Sequence, residues 1–177
     1  AGLKKVLLPV YIAGVLAAFS SAGLPFTFGF IGKDLIYEAT LNTASSIAIY
    51  LTVLAVVTNL CLVAAGFMAG IKPFTGKLPH ELSSTHLPHK AMWLPPLFLG
   101  LAGVLLGCFP AVIGDALISP AVNSIAGSSV QVHLKIWHGF NTVFVLSMVT
   151  LALGSTLYYL NKPSASKLSF FAHYQQL

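Results

Sequence analysis

Ser21-Ala22-Gly23-Leu24-Pro25-Phe26-Thr27-Phe28-Gly29-Phe30-Ile31-Gly32-Lys33-Asp34-Leu35-Ile36-Tyr37-Glu38 joins two apolar stretches of a 177-residue chain. How this stretch is read decides the fold. Gly23-Leu24-Pro25 interrupts a helical pattern, because proline has no N–H, its ring clashes with the preceding turn, and glycine relaxes the backbone. Apolar residues occupy about 6–22 before the interruption and about 26–41 after it. Each piece is short against the roughly 20 residues that cross a bilayer. We therefore expect residues 1–43 to form one discontinuous transmembrane helix with halves at about 6–22 and 26–41 and its break marked by Gly23, Pro25 and Gly29. In hydrocarbon such a break survives only where protein or water satisfies the freed backbone groups. Transporters place broken helices where ions are handled, since half-helix ends present partial charges. A plain kink or a hairpin turn is the competing reading of the break alone.

The rest of the chain fits a membrane setting. Charged residues are 7% of the sequence and hydrophobic residues 56%, against about 25% charged residues in a soluble domain. So few charges could not cover a water-facing surface. Apolar runs at 44–70, 92–113 and 132–160 each have the length of a crossing. The fold class is thus all-α, a polytopic membrane protein with one broken transmembrane helix and three full ones. Residues 71–91 read as a polar loop, 114–131 as a loop rich in Ser, Gly and Ala, and 161–177 as a polar tail.

All nine basic residues are lysines. With four crossings, Lys4, Lys5, Lys72, Lys77, Lys90, Lys162 and Lys167 fall on one side and only Lys135 on the other, with Lys33 inside the membrane. The positive-inside rule then makes 71–91 and the tail cytoplasmic and 114–131 extracytoplasmic. Two separate full crossings in place of the broken helix would scatter the lysines to both sides. The lysines form no basic stripe, so the net charge of +5 does not point to nucleic acid. An N-terminal signal peptide fits poorly, because the residues after Ala22 are as apolar as those before. The chain opens on Ala1, which suggests a fragment or a processed chain.

Lys33 follows Pro25 by eight residues, about 12 Å along a helix. A charge at that depth costs a few kcal/mol and usually faces a bundle interior or a wet cavity. Desolvation works against the charged form of an ammonium, which brings proton uptake and release within reach. Asp34 and Glu38 are four residues apart and share a helix face, while Lys33 and Tyr37 share a neighbouring one. A carboxylate beside Lys33 would hold it charged, and moving it away would favour deprotonation, a workable proton switch. The alternative is that Lys33 and its acids snorkel to an interface as the helix ends near Thr43.

Other candidates are weaker. His138 and Asn141, three apart, could hydrogen-bond a partner helix or lie on a proton path. Thr58-Asn59 reads as interhelical glue, and Trp93 and Trp137 as interfacial anchors. His80, His86 and His89 share a loop without an accompanying Cys and are taken as solvated, so no metal site is expected. Asp115 reads as a loop acid, and Cys61 and Cys108 as small apolar filler. Nucleotide loops, nucleophile triads and haem ligands are absent from the sequence, so neither a catalytic site nor a cofactor is expected.

Residues 21–39 resemble the broken-helix signature of the proton-translocating antiporter-like subunits. That superfamily includes the large membrane subunits of respiratory complex I and the Mrp-type sodium/proton antiporters. Gly32-Lys33-Asp34-Leu35-Ile36-Tyr37-Glu38 is most similar to the A-type subunit of the Mrp antiporter. Leu94-Pro95-Pro96-Leu97, Leu106-Gly107-Cys108-Phe109-Pro110 and Trp137-His138-Gly139-Phe140-Asn141 agree with it. The resemblance implies that Lys33 matches the lysine of the second half-helix, near the exit of a proton path. It also implies a multi-subunit complex in a cell membrane that exchanges H⁺ for Na⁺ or another monovalent cation. The chain then corresponds to the end of the antiporter-like core, without the helices that carry the family's central lysines, and so to an incomplete path. Lacking those neighbours, the four crossings would leave Lys33 facing lipid, and we expect poor stability in isolation. Pro25-Phe26 and Gly32 are minor departures from the family pattern. One alternative is the homologous pump subunit of complex I or a related hydrogenase, which a long lateral helix after the core would favour. Another is a structural membrane subunit, in which Lys33→Ala would leave transport intact. A lipid-acting enzyme is disfavoured by the lack of a nucleophile–base pair.

Overall fold

A computed structural model describes residues 2–78, 80–82, 84, 86–129, 132, 134 and 139–160. Lys135, Trp137, His138, Lys162 and Lys167 lie outside the described residues.

Helix α1 spans Leu8–Ala22, with Pro9 in its first turn, where a missing N–H costs nothing. It ends in a Schellman motif. Gly23 adopts φ 66°, its N–H donates to the Ser20 carbonyl, and the Leu24 N–H donates to that of Phe19. Leu24-Pro25-Phe26-Thr27 then form a tight turn closed by the Thr27 N–H on the Leu24 carbonyl at 3.1 Å. The Thr27 hydroxyl donates to the same oxygen at 2.7 Å. Proline in the second position and a positive φ in the third are the marks of a type II turn, which favours glycine there. This chain places Phe26 at φ 69° instead. Helix α2 follows at Phe28–Leu41.

Helix α3 (Ala48–Gly70), α4 (Lys90–Cys108) and α7 (Thr142–Leu160) are each long and apolar enough to cross a membrane. Between α4 and α7 the chain forms α5 (Pro110–Ile113), a π-helical turn (Gly114–Ile118) and α6 (Ser119–Ala126). Among the described residues there is no strand. The chain is an all-α, multi-pass membrane protein.

The Gly2 N–H donates to the Thr75 carbonyl, so the start of α1 and the end of α3 share one end of the bundle. Helices α1 and α2 therefore advance together across it and α3 returns. Both halves pack on α3 and on α4, and α7 closes the bundle against α2 and α3. In lipid, helices associate through close packing of small residues. A Cβ on Gly70 would collide with the Gly14 carbonyl, and one on Gly154 would come within 2.6 Å of Val63. Large apolar side chains such as Ile49, Leu54, Phe98 and Val149 point outward, as they do where the surroundings are hydrocarbon or neighbouring helices.

Three boundaries differ from expectation. Helix α4 stops at Cys108 because Pro110 cannot donate to the ladder, and the helix restarts with that proline in its first turn. The stretch 114–131, expected as a loop, carries the π turn and α6, which ends at Gly127 with φ 63°. Its small residues masked an apolar series at Leu117, Ile118, Ala121, Val122 and Ile125. Helix α7 starts at Thr142 and not near 132. Gly139 takes φ 82°, and the Asn141 side-chain oxygen accepts from the Phe144 N–H at 2.8 Å, the role of an N-cap.

Candidate functional site

The Schellman motif uses the carbonyls of Phe19 and Ser20. Those of Ala22 and Gly23 remain at the C-terminal end of α1, where the helix dipole concentrates negative partial charge. Lys33 occupies the second turn of α2, and its Cα–Cβ bond leans toward the N-terminus of its own helix. The side chain thus runs back to the break. Its ammonium donates to the Gly23 carbonyl at 3.2 Å and to the Ala22 carbonyl at 3.4 Å. A third bond, at 3.4 Å, goes to the Ser147 carbonyl of α7. Three donors meet three acceptors, and the Phe30 ring adds a cation–π contact with its centroid 5.9 Å away.

Lys33 is only 5% exposed. That sets aside the snorkelling alternative and overturns the expected exposure to lipid. The side chain does not snorkel, and it does not face lipid, because α7 packs on α2 and covers it. The head group also lies at the break itself and not a further 12 Å along α2, since residues 24–27 form a turn, α2 begins only at Phe28, about 7.5 Å before Lys33, and the stem leans back from there.

Asp34 lies on the flank of the same turn, close enough to act electrostatically on Lys33. Its carboxylate accepts from the Ser147 hydroxyl. One turn further on, the buried Tyr37 hydroxyl meets Thr150 Oγ1 at 3.4 Å. The Thr150 hydroxyl is 2.9 Å from both the Leu146 and the Ser147 carbonyls. Asn59 of α3 stands beside the Tyr37 hydroxyl, while its own amide donates to Ala55 at 3.0 Å. Ser147 and Thr150 are both 0% exposed. The result is a polar cluster within the bundle, with one cation, one carboxylate, three hydroxyls and three carbonyls that accept from the ammonium.

Of the sequence candidates, Lys33, Asp34, Gly23 and Pro25 converge here. Gly29 sits where a Cβ would collide with the Ser20 carbonyl, so it sets the approach of the two halves. Glu38 points outward and is exposed, although its spacing from Asp34 put both on one face. His138 lies outside the described residues. Ser147, Thr150 and the Ala22 carbonyl carry no signal in the sequence that would have singled them out. Helix α4 seals the break: a Cβ on Gly107 would press on the backbone of Phe26, Thr27 and Phe28 at 2.5–2.6 Å.

No family model matches the chain. The "Putative antiporter subunit mnhA2" of Staphylococcus saprophyticus is 28% identical over 165 residues, 86% of this chain and 21% of that protein. The A-type subunit of the Na(+)/H(+) antiporter of Alkalihalophilus pseudofirmus is 26% identical over 186 residues, 96% of this chain and 23% of that protein. The chain is similar to the A-type subunit of Mrp antiporters. It spans about a fifth of the length of the curated relatives it matches. In fold it matches a chain in the structure of the Mrp complex from Dietzia sp., with TM-score 0.71 and 21% identity over 93% of this chain and 19% of that one. The similarity to the Mrp proteins runs through almost the whole chain, broken helix included.

Proposed function

We propose that this chain is part of a proton-translocating subunit of a multi-subunit Na⁺/H⁺ antiporter and that Lys33 is a proton-carrying group at its broken helix. The observation that supports this best is the position of the Lys33 ammonium. It is buried in the bundle, held by the free carbonyls of one half-helix while rooted in the other. A lysine that only packed would not need to occupy the break. Each of the ammonium's three hydrogens meets a carbonyl, so loss of the proton removes one of these bonds. A rearrangement at the break can therefore be coupled to proton transfer. The reading also puts the chain in a cell membrane among other subunits, with the exposed Lys4, Lys5, Lys72, Lys77 and Lys90 on the cytoplasmic side. The shared end of α1 and α3 is consistent with that grouping.

The test is Na⁺-dependent proton flux in vesicles carrying the full parent complex, wild type against Lys33→Ala at matched expression. Loss of flux in an assembled complex is the expected result. Normal flux would reduce Lys33 to a structural residue and overturn the proposal.

A further inference from the structure

Lys33 and Asp34 are adjacent in sequence, and on a helix adjacent side chains diverge by about 100°. They nevertheless engage the same residue of another helix. The Lys33 ammonium donates to the Ser147 backbone carbonyl, and the Asp34 carboxylate accepts from the Ser147 hydroxyl. Ser147 is 0% exposed, and a further contact between the two helices adjoins it. There Tyr37, four residues after Lys33, meets Thr150, three residues after Ser147, and the Thr150 hydroxyl reaches the Ser147 carbonyl at 2.9 Å. Helices α2 and α7 are thus joined through one continuous polar cluster. Gly154, one turn beyond Thr150 on the same face of α7, lets the helix close on Val63 and Leu60 of α3.

We infer that Ser147 is the positioning residue of the Lys33–Asp34 pair, its hydroxyl holding the carboxylate and its carbonyl holding the ammonium so that α7 sets the separation of the two charges. The inference rests on the reading of Lys33 as a proton-carrying group. Its content is that α7, with no charged side chain of its own among residues 142–160, controls when Asp34 can approach Lys33. A shift of α7 by a fraction of a turn would withdraw the hydroxyl from the carboxylate. The carboxylate could then pair with the ammonium or accept its proton.

The test uses the full parent complex in vesicles, with Ser147→Ala and Asp34→Asn singly and combined and Lys33→Ala as reference. Assembly is monitored for each variant and flux is followed across pH. Ser147→Ala keeps the backbone carbonyl and removes only the hydroxyl. It should lower Na⁺-dependent flux by roughly tenfold, within the coupling range of groups in one hydrogen-bonded network, and displace the pH profile. In the Asp34→Asn background the same substitution should have little further effect. An equal effect in both backgrounds would show that Ser147 acts through packing, and wild-type flux and profile in Ser147→Ala would show that it does not act; either overturns the inference. If Ser147→Ala does not assemble, Ser147→Cys, with its weaker donor, should give an intermediate rate and a profile displaced the same way, and a wild-type profile there would overturn it. Normal flux in Lys33→Ala would remove the proton-site reading and this inference with it. Lost flux in Lys33→Ala together with independent Ser147 and Asp34 effects would remove this inference alone.

Discussion

The ammonium of Lys33 lies 3.2 Å from the carbonyl oxygen of Gly23. A lysine rooted in the second half of a broken helix is thereby bonded to the residue that caps the first. The sequence separation is ten residues, and the bond crosses the break, where the backbone ladder of the two halves is interrupted.

Lys33→Met keeps much of the stem and removes the charge. The Ala22 and Gly23 carbonyls lose their donor, a cost of about 1–3 kcal/mol, partly offset because a buried charge is gone as well. The expected outcome is a complex that assembles with little change in thermal stability and whose proton flux falls by roughly 10²-fold or more. A variant that assembles and transports normally would contradict it.

Gly23→Ala should be harmful for two reasons. The residue has φ 66°, and a Cβ would stand 2.9 Å from Lys33 Cε and 3.0 Å from Nζ. Left-handed backbone at a non-glycine residue costs about 1–2 kcal/mol, and the lysine must also be displaced. Reduced thermal stability and reduced flux should appear together, in detergent-solubilised complex and in vesicles respectively.

Gly29→Ala acts on structure before function. Its Cβ would collide with the Ser20 carbonyl, so α1 and α2 must separate. Overpacking of this kind costs about 1–3 kcal/mol. Size-exclusion chromatography should show less assembled complex, whereas Gly32→Ala, with open space around its Cβ, should assemble as wild type.

Phe26→Gly should stabilise. Phe26 holds φ 69° in the linking turn and is 62% exposed, so glycine relieves strain of about 1 kcal/mol while little packing is lost. The melting temperature of the complex should rise. A fall would mean that the Phe26 ring is anchored by something outside this chain.

The broken helix and its lysine were legible because both break strong local rules. Gly23 and Pro25 interrupt a helical pattern, and Lys33 stands in hydrocarbon-like sequence. Ser147 and Thr150 were not legible, since a Ser and a Thr in an apolar helix raise no signal, and half of what Ser147 contributes is a backbone carbonyl that every residue has. Asp34 and Glu38 show the limit of spacing arguments. A separation of four places both on one face, but the stripe of α2 that meets α7 is centred on Lys33 and Tyr37. Asp34 sits at its rim, within reach of Ser147, and Glu38 is one turn beyond. Helix α6 was hidden by residues usually found in loops, and the start of α7 by an apolar run that continues upstream of its cap. That Lys33 is enclosed by this chain's own helices followed from the path of α7, which no local pattern encodes.

The two halves of the broken helix are spliced twice, once by the peptide chain and once by an ionic strut from Lys33. The first splice is permanent. The second exists in full only while the amine carries all three of its hydrogens, so the rigidity of the element across its break and the electrical state of its centre are one variable. An event that changes one changes the other.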